Sequence, residues 1–254
     1  MSKIVSTQLE WKYSPDNYIE EPIFLSFEGG NLEINNGIAL AIIEHSVYKA
    51  NETLSDELTR KIKSRLQAIQ LMTHKEFELS KASRIDIQED GKKHYYLEAE
   101  PLEMKMTMGS PDIIVKDKNG NIVSDSRGER LNKQEWYALL IDKHRSSDET
   151  LNHMLGSYHA SVSDPDNEFV HLYEIRDSLA NRFGSKKSAI SQLDISTKKW
   201  DEIGRLSNYY PLKQGRHRGK SVGSLRDADT SELERARKSA VYLVERYLEY
   251  LDGK

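Results

Sequence analysis

The chain has 254 residues, 37% of them hydrophobic and 31% charged, with a formal net charge of −4. That supplies enough apolar material for one large core or two ordinary ones, and the acidic balance excludes a uniformly basic nucleic-acid-coating protein but not a confined basic patch. The absence of cysteine excludes disulfides, thiolate nucleophiles and Cys-based zinc or iron–sulfur centres.

The start, MSKIVSTQLEWKY, lacks an apolar signal-peptide core, and no later run approaches the roughly 20 apolar residues that span a bilayer. A soluble, cytoplasmic protein with no membrane partner is expected. Alternation at Leu9, Trp11 and Tyr13 and the apolar run Ile38 to Ile43 predict strands. From Ser55 the period changes: Leu58, Ile62, Leu66, Ile69 and Met72 predict an amphipathic helix ending near Phe77. Alternation returns in Leu97, Ala99, Leu102, Met104, Met106 and Met108, interrupted at Pro101, and Asn119-Gly120 between Ile113–Val115 and Ile122–Val123 predicts a tight hairpin. Asn132 with Glu135 resembles a helix start leading into Trp136, Leu139 and Leu140.

After Arg145 the strand signals stop. The predicted fold is therefore α+β, with a mixed strand and helix domain over residues 1–145 and an all-α five-helix domain over 146–254. The first of these helices carries Leu151, Met154, Leu155, Tyr158 and Val162 and stops before Asp164-Pro165; the second carries Phe169, Leu172, Tyr173, Leu179, Ala180 and Phe183 and ends at Gly184. A short third helix spans about 185–193, and a fourth starts at Ser196 and carries Trp200 and Ile203. The last begins at a Ser231-to-Glu234 capping box.

The segment IGRLSNYYPLKQGRHRGKSVGSLR, Ile203 to Arg226, holds Arg205, Lys213, Arg216, Arg218, Lys220 and Arg226 and no acid. Guanidinium forks, ammonium point charges and Gly215, Gly219 and Gly223 suit a phosphate. The alternative is that these cations are solvated or pair with acids such as Glu232 and Glu234, and the sequence leaves both open. Gly215-Arg-His-Arg-Gly219-Lys220-Ser221 is not a P-loop: three residues rather than four separate the glycines, and a helix rather than a strand precedes them. His217 is the candidate for proton transfer, able to deprotonate a ribose 2′-hydroxyl while Arg216 or Arg218 stabilises the developing phosphorane. The opposing view is an incidental loop histidine.

Arg176 falls near the centre of the second helix's apolar stripe, where an unpaired guanidinium is costly, so it needs a partner. That partner is either a buried carboxylate or a bound anion. Glu174 and Asp177 lie off the stripe, either solvated or orienting His217. The remaining histidines lack metal-ligand spacing, and Asp117, Asn119 and Asn121 fit a hairpin better than a calcium loop.

The helical half resembles the HEPN superfamily (higher eukaryotes and prokaryotes nucleotide-binding), closest to its Apea-like branch. The resemblance covers roughly residues 147–254. It is carried by helix order, by Leu172-Tyr173-Glu174-Ile175 with Asp177, by Trp200 to Asn208, and by Asn208 followed by Arg216-His217 before a long final helix. It implies a metal-independent ribonuclease of a toxin, stress or antiviral system, with no cofactor, working as a homodimer that joins two Arg/His motifs. Other members bind nucleotides or serve as inactive dimerisation modules. The usual motif separates Arg from His by four to six residues; here Arg205 is farther away and Arg216 is adjacent. On this resemblance His217, Arg216, Asn208, Glu174 and Asp177 form the expected catalytic set. Arg205, Lys213, Arg218, Lys220 and Arg176 contact phosphate. RNA or a nucleotide is the expected ligand, and residues 1–145 are left to dock or sense a partner protein. A purely structural role, with Tyr242 and Tyr250 exposed for self-association, is the further alternative.

Overall fold

The computed structural model describes residues 3–96, 114–116, 122–220 and 223–253, with backbone alone at 114–116, 122–124 and 220. The chain divides into two compact units, Met1–Ile69 with Phe77–Trp136, and Gln70–Glu76 with Tyr137–Lys254. The fold is α+β, an antiparallel sheet region followed by a helical bundle. Among the described residues no helix is long and apolar enough to cross a membrane.

In the first unit, β1 (Ile4–Ser14), β2 (Ile23–Phe27), β3 (Gly30–Asn35), β4 (Ile38–Glu44), β5 (Glu78–Leu79), β6 (Ser83–Gln88) and β7 (Lys93–Tyr96) form one antiparallel sheet. Its order is β2-β3-β4-β1-β6-β7, with β5 pairing the end of β1. The turn from β3 to β4 is Asn36-Gly37, both at positive φ (47° and 80°), as a two-residue hairpin of matching twist requires. Period-two alternation sends Leu9, Trp11, Tyr13, Leu32, Ile34, Ala39, Ala41 and Ile43 to one face. There Leu54, Leu58, Ile62, Leu66 and Ile69 cover them. These five lie at three- and four-residue steps on α2 (Leu54–Thr73), which follows the short α1 (His45–Ala50). Small Ala39 and Ala41 beside Trp11 and Leu9 leave room for the indole, whose Nε1 donates to Thr59 Oγ1 at 2.9 Å.

The buried face of β1 also holds a polar cluster, at Thr7, that hydrophobic alternation does not announce. Thr7 Oγ1 donates to buried Asp86 (2.9 Å) and lies 2.8 Å from His45 Nδ1, while Arg84 forks onto Asp86. Strands β8 (Ile114–Lys116) and β9 (Ile122–Asp125) pair antiparallel, as the predicted hairpin requires. Its Asn119-Gly120 turn and the alternating stretch Leu97 to Met108 lie outside the described residues. Helix α3 (Ser126–Arg145) starts six residues before the predicted Asn132. Asp125 Oδ1 accepts from the backbone N–H of Arg127 and Gly128, both at 3.1 Å, and supplies an earlier cap.

The second unit contains α4 (Glu149–Ser163), α5 (Glu168–Arg182), α6 (Lys186–Gln192), α7 (Thr197–Asn208) and α8 (Thr230–Leu251). Asp148 caps α4, Ser185 caps α6, and Gly184 at φ 78° ends the turn after α5. The final helix opens at Asp229 and Glu232, whose reciprocal bonds make the capping box two residues before the predicted one. Helix α5 is central, packing against α4, α6, α7 and α8. Leu172, Ile175 and Leu179 meet a core that includes Leu155, Trp200, Leu206, Ala240 and Leu243, all buried.

The end of α2 belongs to this unit. The helix stops at Thr73, earlier than predicted, with His74 at φ 51°. His74 Nε2 lies 3.5 Å from Glu168 Oε1, and buried Glu168 receives a bidentate fork from Arg237 at 2.7 Å on each arm. Burial, with the Arg237 charge adding, pushes His74 down to about 3. Of the two tyrosines expected at the surface, Tyr250 is exposed and Tyr242 half-buried. The Tyr242 hydroxyl accepts from Ser196 N–H at 3.1 Å, and the Tyr250 ring lies 5.3 Å from Phe183.

Candidate functional site

The basic segment leaves α7 and is closed at its neck. Leu212, buried, bridges Arg226 in parallel; Lys213 N–H donates to the Arg226 carbonyl at 2.9 Å, and Arg226 N–H donates to the Pro211 carbonyl at 3.0 Å. Gln214 Oε1 accepts from Ala228 N–H.

Three cations of the segment find acids that lie beyond it or on α7. Arg205 pairs with Glu202, which also takes Arg235 at 2.9 Å. Lys213 meets Asp227 at 2.9 Å, and Arg226 forks onto Glu232 with both arms at 2.7 Å. Arg218 instead donates to the carbonyls of Gly215 (3.0 Å) and Asp166 (2.9 Å) and to Asn167 Oδ1 (2.5 Å), so it ties the segment down and keeps its charge. The Lys220 side chain lies outside what is described. The acid-free run is thus largely neutralised in three dimensions, and Arg205 and Lys213 act as paired surface cations.

Arg176 and Arg216 behave differently. Tyr173, Arg176 and Asp177 stand at i, i+3 and i+4 on α5 and share one helix flank. The Arg176 guanidinium lies 4.7 Å from the Tyr173 ring centre and 5.4 Å from that of Trp200. Arg216, whose backbone N–H donates to the Ser207 carbonyl of α7 at 2.7 Å, sets its guanidinium 3.9 Å from the same Tyr173 ring. Gly204 makes room on α7, since a Cβ there would collide with Arg176 Nη1. The buried stripe of α5 is Phe169, Leu172, Ile175 and Leu179, so Arg176 sits at its flank and not, as predicted, at its centre. Two rings hold it, and among the described residues no carboxylate comes within 4.0 Å of it.

Asp177 is the acid of this cluster, 3.6 Å from Arg216. Burial raises its pKa, Arg216 and then Arg176 pull it down, and Glu174 pushes it up; the net direction is upward. Two guanidiniums therefore face one reluctant carboxylate. Asn208, one residue beyond Ser207, buries its Oδ1 without a described partner, as does Trp200 its Nε1. Glu174 turns to Ser157 (3.1 Å) and His171 (3.7 Å). His217 is exposed and makes no hydrogen bond among the described residues, so neither Asp177 nor Glu174 orients it as expected.

No family model, curated protein or solved structure matches this chain. The site stands on its own geometry. That geometry joins Arg176, Asp177 and Arg216, keeps Glu174 near enough to act on Asp177, and leaves Arg205, Lys213 and Arg218 in other pairings. Tyr173, Trp200 and Gly204 shape this cluster, and none of them was among the expected catalytic or phosphate-contacting residues. The glycine inside amphipathic α7 was the available signal, though an unspecific one, since α4 carries Gly156 with nothing close to it.

Proposed function

We propose that the helical unit is a HEPN-like, RNA-acting module that holds phosphate at Arg176 and Arg216, in keeping with a bacterial stress, toxin or antiviral role, with residues 1–145 docking a partner protein. The observation that carries this reading is the pair of guanidiniums against Tyr173 with one carboxylate between them. A planar fork with its ring faces already stacked keeps its N–H donors for an oxyanion. No metal or cofactor enters. Arg176→Gln and Arg216→Gln should each weaken binding of a labelled RNA by roughly tenfold, the worth of one charge-assisted bond, and flatten the salt dependence. Unaltered affinity in both variants would remove the proposal.

A second reading is cleavage, favoured by the exposed His217 that directly follows Arg216. His217 would take the 2′-hydroxyl proton while Arg216 steadied the phosphorane. RNA cleaved in metal-free buffer by the native chain and left intact by His217→Ala supports it. Binding without turnover leaves a nucleotide- or RNA-binding regulatory module, which self-association would complete as a homodimer.

A further inference from the structure

We infer that the ligand of this site is single-stranded rather than duplex RNA, with Tyr209 and Tyr210 as the platform on which its bases stack; the inference rests on the phosphate-holding reading of Arg176 and Arg216. Tyr209 is 82% exposed, the highest value among the large hydrophobic side chains described, and Tyr210 beside it is 42% exposed. They end α7, with Tyr209 N–H still bonded to the Arg205 carbonyl at 3.0 Å. The chain then turns at Pro211, and the neck bonds around Leu212 and Arg226 hold the turn. Two tyrosines consecutive in sequence are thus fixed at their roots, Tyr209 largely bare and Tyr210 partly so. Neither stacks on another described residue.

A backbone link connects them to Arg216. Tyr209 follows Ser207 by two residues, and the Ser207 carbonyl anchors Arg216. Tyr210 lies near enough to Arg205 and Arg226 for its hydroxyl to act electrostatically on both. Because those two arginines are already paired with Glu202 and Glu232, they add little to anion capture. A site with so few unneutralised cations gains little from backbone charge alone, so its affinity must draw on another term. Every nucleobase offers a π-face, and an aromatic ring beside a phosphate contact collects it without regard to sequence. In A-form duplex RNA those faces are covered by neighbouring bases, and the tyrosines would find only edges and sugars.

The test uses the full chain and fluorescence anisotropy with a labelled oligouridine, an abasic oligomer of equal length and an RNA hairpin duplex. Oligouridine should bind at least tenfold tighter than the other two. Tyr209→Ala and Tyr210→Ala should each lose on the order of tenfold on oligouridine alone, while Tyr209→Phe and Tyr210→Phe keep the native affinity. Both side chains are exposed, so the variants fold. Equal affinity for strand and duplex, weakened on both by Arg176→Gln and Arg216→Gln, overturns the stacking platform and spares the phosphate site. No binding to any RNA overturns both. A Tyr209→Ala variant that changes oligomeric state in light scattering with RNA affinity intact assigns the tyrosines to a second copy of the chain and overturns the inference.

Discussion

Gly204→Ala separates the role of Arg176 from the stability of the bundle. The new methyl would occupy the space of Arg176 Nη1. Because the obstructing atom is the tip of a flexible side chain, the guanidinium swings away and the backbone stays. Replacing a helix-interior glycine gains about 1 kcal/mol of helix propensity. Losing the contacts with Tyr173 and Trp200 costs about 0.5–2 kcal/mol. The two nearly cancel, so Tm should move by only a few degrees. Binding should not cancel: one displaced charge-assisted donor is worth about 1.5–3 kcal/mol, roughly tenfold or more in Kd. The assay pairs a thermal melt with RNA anisotropy, and Arg176→Gln serves as the reference. If Gly204→Ala melts like the native chain, shifts the Trp200 indole signal and still binds RNA with native affinity, Arg176 does not touch the ligand.

Three further outcomes follow from the ionisable groups. Asp177 has a raised pKa, so what it adds to stability is present below the ordinary carboxylate range and lost as pH rises through the raised value. Its neutral form also frees Arg216, so native RNA affinity should rise as pH falls through the raised value, and Asp177→Asn should bind a few-fold tighter at neutral pH and lack that rise. His74 is depressed from 6.5 to about 3, so the unfolded chain takes up a proton that the folded chain refuses. Stability should therefore fall between those values, by at most about 4–5 kcal/mol from this group, and His74→Asn, which accepts the positive φ, should remove that slope in urea titrations. Glu168→Gln strands the Arg237 guanidinium and should cost about 3–5 kcal/mol, whereas Glu168→Met with Arg237→Met should recover most of it; equal stability of all three would contradict a buried pair.

The parts of the fold legible in the sequence are those set by local chemistry. Periodicity marks α2 and the helices of the bundle, and alternation marks β1. Asn36-Gly37 carried the same hairpin signal as Asn119-Gly120 and could have placed β3 against β4. Two capping boxes, Asp229 with Glu232 and Ser231 with Glu234, were equally readable; Arg226, which forks onto Glu232, secures the earlier one. Arg176 was misplaced because Ile175, one residue and about 100° away, takes the centre of the stripe. The charge contrast was only half readable. Glu232, six residues past Arg226, was the open alternative partner, whereas Asp177 reaches Arg216 from α5 through tertiary packing, and no window along the chain shows that.

The neck at Leu212 and Arg226 has a consequence for variation of the segment it closes. Backbone bonds join Pro211 and Lys213 to Arg226, so the residues between form a ring whose closure is anchored independently of its contents. Doubling the length of such a ring costs only about 0.6 kcal/mol of closure entropy. Sequence and length there can drift, or be grafted, while α7 and α8 keep their packing. Arg216 and Arg218 are the limits of that freedom, one holding Ser207 and the other Asp166 and Asn167. The segment is thus an exchangeable cassette with two fixed pins.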